Sequence, residues 1–240
     1  MTATWQEAWN ALETGANLVR RDGQQILGED IFSNVFDGGQ LVAEGPTGVG
    51  KSFTALIPAI CAFKEKKQRT ILTTETLSLL DQIVDKDLPF LQKTYGEFDY
   101  FGLKGRNHYL CIGRAGTNDP IVTKVRGRLV GTNGERRDVE RILGYRLADD
   151  EWTDISGDSE FCAQNQCLPE NCWSARARMK AANSDIVITS HTMLQVHGEF
   201  IQQGVDGGLL GEFHHIIVDE AHSLERIVVD GSTLEVAPWE

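Results

Sequence analysis

Apolar residues recur at helical spacing from the start of the chain, with Trp5, Trp9, Leu12 and Ala16 on one face of a helix expected over residues 1–20. A shorter helical pattern follows Arg21-Asp22-Gly23-Gln24 and runs to about Phe32. Leu41-Val42-Ala43 is a brief apolar run suited to a buried strand, and Phe53 to Phe63 reads as an apolar helix. Thr70-Ile71-Leu72-Thr73 is strand-like. Between Thr76 and Leu91 the helical period returns in Leu77, Leu80, Ile83, Val84 and Leu88, and Phe98 to Leu103 suits another strand. Strands alternating with helices predict an α/β fold, a parallel sheet flanked by helices.

The alternation stops at Lys104 and resumes near Lys180. The intervening stretch is rich in Gly, Asp, Asn and Arg, has few apolar runs, and holds four of the five cysteines. It is expected to build little hydrophobic core and to need another means of holding together. Beyond it come the strand-like Asp185-Ile186-Val187-Ile188-Thr189, a helical pattern through Met193 and Leu194, and the strand-like His215-Ile216-Ile217-Val218. The expected organisation is one α/β domain, residues 1–103 and 181–240, interrupted by an insertion at 104–180.

Composition changes this picture little. The chain has 240 residues, 41% hydrophobic and 24% charged, as in an ordinary globular protein large enough to bury a core. No apolar run reaches membrane-spanning length and the N-terminus lacks a signal-peptide pattern, so a cytoplasmic protein without a membrane partner is expected. A net charge of -12 argues against a surface coated for nucleic acid, yet leaves room for a local groove. Basic residues do cluster, at Lys104 with Arg106, at Lys124, Arg126 and Arg128, and at Arg176, Arg178 and Lys180. Each cluster reads either as a solvated face or as part of such a groove.

Two segments carry chemistry. Gly45-Pro46-Thr47-Gly48-Val49-Gly50-Lys51-Ser52 fits the phosphate-binding loop G-x-x-x-x-G-K-[ST]. Its glycines permit the tight turn that points successive N–H groups at an anion, Lys51 suits the β- and γ-phosphates of ATP, and Ser52 suits Mg²⁺. Ile216-Ile217-Val218-Asp219-Glu220-Ala221-His222 is an apolar strand ending in two carboxylates, at the sheet edge where open α/β folds bind ligands. Asp219 suits the second Mg²⁺ contact and Glu220 suits activation of an attacking water. Lys51, Asp219 and Glu220 are thus the expected catalytic residues.

These segments together resemble the first motor lobe of a superfamily 2 helicase, and further matches resemble its iron–sulfur branch, the XPD/DinG type. RRDGQ (Arg20–Gln24) resembles that branch's R-x-x-Q element, which implies adenine contacts by Arg21 and Gln24. TTETLSLLDQ (Thr73–Gln82) resembles its motif Ia, at a DNA-facing loop. LKGRNHYLC (Leu103–Cys111) resembles the stretch bearing its first cluster cysteine, and ANSDIVITSHTML (Ala182–Leu194) resembles another of its segments, with Ser190 where Asn is usual. The implied fold is a RecA-like P-loop parallel sheet flanked by helices and interrupted by a small Cys-rich iron–sulfur insertion.

Cys111, Cys162, Cys167 and Cys172 form one distant ligand plus a C-x4-C-x4-C run. Spacing alone leaves open a tetrahedral zinc, a [4Fe–4S] cluster and four unliganded thiols, although the C-x2-C pairs common in zinc knuckles are absent. The resemblance implies the [4Fe–4S] cluster. Cys61, in the apolar helix, reads as a buried small hydrophobe.

The resemblance also implies a second RecA-like lobe, in cis or in trans, and single-stranded or forked DNA as partner, with a role in DNA repair. Nothing after His222 resembles that lobe, so the chain is expected to be half of a motor, weakly active or inactive by itself. Two other readings remain: a stand-alone P-loop ATPase with a structural zinc held by the four cysteines, and a non-enzymatic nucleotide- or DNA-binding module.

Overall fold

Strand β1 (Thr70–Thr74) has all five side chains buried, as in a parallel sheet whose two faces are covered. Its neighbours are β3 (Ile186–Ser190) and β4 (His215–Val218), and β2 (Tyr100–Leu103) lies beyond β3. The sheet is parallel throughout, in the order β2-β3-β1-β4. Register places Thr73 level with Thr189 of β3 and with Val218 of β4, so the carboxyl ends of three strands line up. In this computed structural model the described residues are 4–16, 21–45, 50–164, 167 and 169–231. They divide into two compact units, Met1–Gly102 with Asn183–Glu240, and Leu103–Ala182.

In the first unit, α1 (Trp5–Ala16) packs on α2 (Asp22–Asp37), α3 (Lys51–Lys66) and α5 (Leu88–Tyr95). Trp5, Trp9 and Leu12 of α1 are buried, as their spacing requires. Residues 17–20 of the expected first helix lie outside the described residues. Gly28 of α2 lets the Trp5 ring approach so closely that an added Cβ would sit 2.0 Å from it. Cys61 of α3 is buried, and that burial pushes its thiol pKa up to about 12, as befits an inert core residue.

The helical pattern from Thr76 onward forms α4 (Leu77–Gln82), one π turn (Ile83–Asp87) and then α5. The Thr76 hydroxyl caps α4 by accepting from Leu79 N. Pro89 has no N–H for the carbonyl four residues back, which accounts for the ladder changing register at the π turn. After β3 comes α12 (His191–Gln202), and α13 (Leu224–Gly231) packs against it. Ser190 caps α12, its hydroxyl accepting from Met193 N at 3.3 Å. Asn caps helices equally well, so Ser in place of the resembled family's Asn keeps this function.

Two expectations fail. Leu41-Val42-Ala43 forms no strand, and Val42 is 99% exposed. Three residues following the positive-φ pair Gly38 and Gly39 offer few ladder hydrogen bonds to hold them to a sheet. The strand at the outer side, β4, is itself only half-buried, with Ile216 exposed.

The second correction concerns the stretch expected to be core-poor. Leu103–Ala182 builds its own apolar centre from α7 (Pro120–Val125), α8 (Arg136–Leu143), α9 (Asp149–Ile155) and α11 (Trp173–Ala182), with the shorter α6 (Ile112–Ala115) and α10 (Ser159–Gln164) beside the cysteines. Tyr109, Val122, Val125, Leu129, Val139 and Ile155 are each at most 3% exposed. These residues are scattered over short helices and the loops between them, so no apolar run announces them. A buried ion pair, Lys104 Nζ to Glu135 Oε2 at 2.7 Å, crosses this unit, and Lys104 N donates to the Tyr109 hydroxyl.

Candidate functional site

The helix α3 begins at Lys51 itself, directly after Gly50, whose φ of 89° is a left-handed conformation that favours glycine. Phe53 N and Thr54 N turn back to Gly50 O, closing the first turn. The leading N–H groups of any helix have no intrahelical acceptor and face outward along its axis, where an anion is favoured. Gly45 is half-buried, and Pro46, Thr47, Gly48 and Val49 lie outside the described residues. A Cβ at position 50 would also lie 2.0 Å from Nε2 of Gln24, so that side chain would have to shift. Gln24 is buried, and its Oε1 accepts from Arg21 N at 3.1 Å. The structure thus brings Gln24 against the end of the Gly-rich segment, while the Arg21 side chain is exposed.

Strand β4 delivers Asp219 and Glu220 to the same place. Asp219 N donates to Thr73 O at 3.0 Å, extending the ladder by one residue, and Asp219 Oδ1 then accepts from Glu220 N at 3.0 Å. Glu220 itself is left-handed (φ 51°, ψ 47°), a conformation that costs a non-glycine residue roughly 1–2 kcal/mol. Ser223 offsets part of this, donating both its N–H and its hydroxyl to Glu220 O. The turn aims the Glu220 carboxylate at α3. Lys51 Nζ donates to Glu220 Oε1 at 2.7 Å, joining segments 169 residues apart. Ser52 stands half-buried next to Lys51 at the helix start.

The charges follow this geometry. The hydrogen bond from Lys51, and then its positive charge, hold the Glu220 carboxyl below the usual range, and the same bond holds the Lys51 ammonium above its own. Asp219 moves the other way: burial and then the Glu220 charge raise its carboxyl pKa, with Lys51 opposing. Two adjacent carboxylates in one half-buried turn favour a cation between or beside them.

Sequence reasoning did not single out His191. Its ring is fully buried, and Nδ1 lies 2.9 Å from the Thr73 hydroxyl. The available signal was positional, since His191 follows β3 just as Asp219 follows β4, at the ligand-bearing edge of the sheet.

In the second unit, Cys111 precedes α6 and donates its N–H to Ile155 O. Cys162 lies in α10, and Cys172 precedes α11 with its sulfur accepting from Ala175 N. Burial raises the Cys111 thiol pKa, the Arg114 N–H opposes it, and Cys162, Cys172 and Cys167 raise it further. Cys111 thus lies within electrostatic reach of the other three cysteines. Among the described residues, however, no three His, Cys, Asp or Glu side chains are drawn together tightly enough to hold a metal ion. The donor set still suits a thiophilic group, because thiolates that repel one another are stabilised by a cation among them.

Comparison with known proteins places these features. The DEAD/DEAH box helicase family profile matches residues 24–132. The ATP-dependent helicase DinG of Mycobacterium tuberculosis (strain ATCC 25618 / H37Rv) is 28% identical over 90% of this chain and 36% of its own length. The chain is similar to DinG and YoaA helicases over most of its own length. The ATP-dependent DNA helicase YoaA of Escherichia coli (strain K12) is 28% identical over 86% of the chain and 34% of its own length. The 3'-5' exonuclease DinG of Bacillus subtilis (strain 168) is 29% identical over 86% of the chain and 23% of its own length. The chain spans about a third or less of the length of these curated relatives. Among the described residues, no helix is long and apolar enough to cross a membrane.

Proposed function

We propose that this chain is the ATP-binding part of a DinG/XPD-like DNA helicase motor. The observation that carries the reading is the Lys51–Glu220 contact, which brings the Gly-rich segment and the strand-end carboxylates into one site. Lys51 binds the β- and γ-phosphates, peptide N–H groups of the Gly45–Ser52 loop other than Pro46 cradle them, and Arg21 with Gln24 contacts the adenine. Ser52 and Asp219 hold Mg²⁺, which neutralises charge on the phosphate oxygens. Glu220 orients the attacking water and accepts its proton once Lys51 has turned from it to the nucleotide.

Cys111, Cys162, Cys167 and Cys172 hold a [4Fe–4S] cluster, which supplies a covalent cross-link within Leu103–Ala182. Single-stranded or forked DNA is the substrate, in a DNA-repair setting in the cytoplasm. Charge supports this placement of DNA contacts: residues 103–182 carry thirteen Lys and Arg against eleven Asp and Glu, whereas the remainder carries ten against twenty-four. A second RecA-like lobe, in cis or in trans, closes the nucleotide from the other side and makes hydrolysis drive movement.

A Mg-ATP titration tests the central assignment. Lys51→Ala removes a charge-assisted phosphate contact worth about 1.5–3 kcal/mol and should lose most affinity. Equal binding by Lys51→Ala and wild type would overturn the reading.

A further inference from the structure

His191 occupies an unusual position beside the proposed ATP site. Thr73 binds two groups at once at the carboxyl edge of the sheet. Its hydroxyl meets His191 Nδ1 at 2.9 Å, and its peptide oxygen accepts from Asp219 N at 3.0 Å. Register makes this possible, because Thr73 is level with both Thr189 and Val218, and His191 and Asp219 follow these just beyond the strand ends. The ring is 0% exposed, and among the described residues its Nε2 is buried with no hydrogen-bond partner. A buried ring nitrogen is costly to leave unpaired. The peptide oxygens of Asp219 and Glu220 are near enough to hold the His191 pKa up against the lowering effect of burial. Peptide oxygens only accept, so the favourable tautomer carries its proton on Nε2 and accepts from the Thr73 hydroxyl at Nδ1.

We propose that His191 is a positioning residue for the Asp219–Glu220 turn: the Thr73 hydroxyl holds the ring at Nδ1, and Nε2–H supports the peptide oxygens of the turn as Mg·ATP draws the two carboxylates into place. The inference rests on the ATP-site reading and deepens it. His191 touches neither nucleotide nor metal in this scheme. It acts through a turn whose Glu220 is held in a left-handed conformation and whose side chains must change partners when Lys51 leaves for the phosphates. The turn's support should therefore matter most in the Mg-bound state.

Two substitutions separate the two ring nitrogens. The amide nitrogen of Gln reaches the place of Nε2, whereas that of Asn reaches only the place of Nδ1. The experiment measures nucleotide affinity of the 240-residue chain with Mg²⁺ and with EDTA, alongside thermal unfolding. Wild type should bind ATP more tightly with Mg²⁺. His191→Asn should lose about three- to tenfold of that Mg²⁺-dependent gain, the worth of one hydrogen bond, with little change in EDTA. His191→Gln should retain it. Thr73→Val, nearly isosteric, tests the same link without altering the ring and should lose part of the gain by removing the hydrogen bond that anchors the ring at Nδ1.

The proposal is overturned if His191→Asn matches wild type in Mg²⁺ dependence. It is equally overturned if Asn and Gln lose affinity alike in Mg²⁺ and EDTA in step with lowered melting, which marks a packing role only. A wild-type chain that binds no nucleotide under either condition would refute the ATP-site reading and this inference with it. Mg²⁺-dependent wild-type binding that His191→Asn shares would refute the inference alone.

Discussion

The Lys51–Glu220 ion pair must open before Lys51 can reach a phosphate, so removing the Glu220 charge should strengthen nucleotide binding while slowing hydrolysis. The two side chains are 29% and 35% exposed. A pair so placed is screened by water and contributes about 0.2–1 kcal/mol. Glu220→Gln releases Lys51 from that contact and removes one negative charge near the phosphates, predicting Mg-ATP affinity raised by about 1.4- to 5-fold. Hydrolysis should fall about 10²–10⁴-fold, the usual contribution of a positioned base. Equilibrium titration with a fluorescent ATP analogue reads the first effect, and single-turnover phosphate release reads the second. Raising the salt concentration should shrink the gain in affinity, because salt weakens the competing pair in wild type. Weaker binding by Glu220→Gln at low salt would refute the argument that the pair competes with nucleotide, and unchanged hydrolysis would remove Glu220 from water activation.

Asp219 gives the opposite electrostatic prediction. A carboxyl pKa raised in the fold means that its ionised form opposes folding at neutral pH, an effect that is relieved as pH falls through that raised value. Asp219→Asn should therefore raise the melting temperature of the nucleotide-free chain by about 1–4 °C while abolishing the Mg²⁺-dependent gain in ATP affinity. Glu220, with its lowered pKa, contributes stability through Lys51 that is full above the ordinary carboxylate range and lost as pH falls through the lowered value, so Glu220→Gln should flatten the acid limb of a melting-versus-pH curve. Gly28→Ala places a methyl group into the Trp5 ring and should cost about 1–3 kcal/mol in chemical denaturation, with no effect on Lys51 chemistry. Protein purified without oxygen should contain iron and sulfide, each of Cys162→Ser, Cys167→Ser and Cys172→Ser should lose them, and Cys61→Ser, deep in the core of the other unit, should not. Stoichiometric zinc without iron in that material would replace the cluster by a structural zinc.

Local pattern determined a large part of this protein. The alternation of short β-branched runs with 3.6-residue apolar periods suffices for an α/β parallel sheet, because each such run must bury both faces and each such helix one. Thr70–Thr74 and Ile186–Ser190 are strands that their own sequence announces. The Gly-rich segment and the strand ending in Asp219-Glu220 were likewise visible as separate pieces of nucleotide chemistry, because their residue types are demanded by local backbone geometry.

Tertiary structure decided what no local window contains. Leu41-Val42-Ala43 is apolar enough for a strand, but a strand forms only by pairing, and this segment pairs with none of β2, β3, β1 and β4. Leu103–Ala182 has a core that only assembly reveals, since its buried apolar residues are scattered over short helices and the loops between them. His191 becomes a buried partner of Thr73 only because β1 and β3 are level at that point. The pairing of Lys51 with Glu220 across 169 residues depends on the order of strands and on one left-handed residue after β4. Sequence period reports which face of an element is apolar, whereas edge, register and distant contact are properties of how the elements meet.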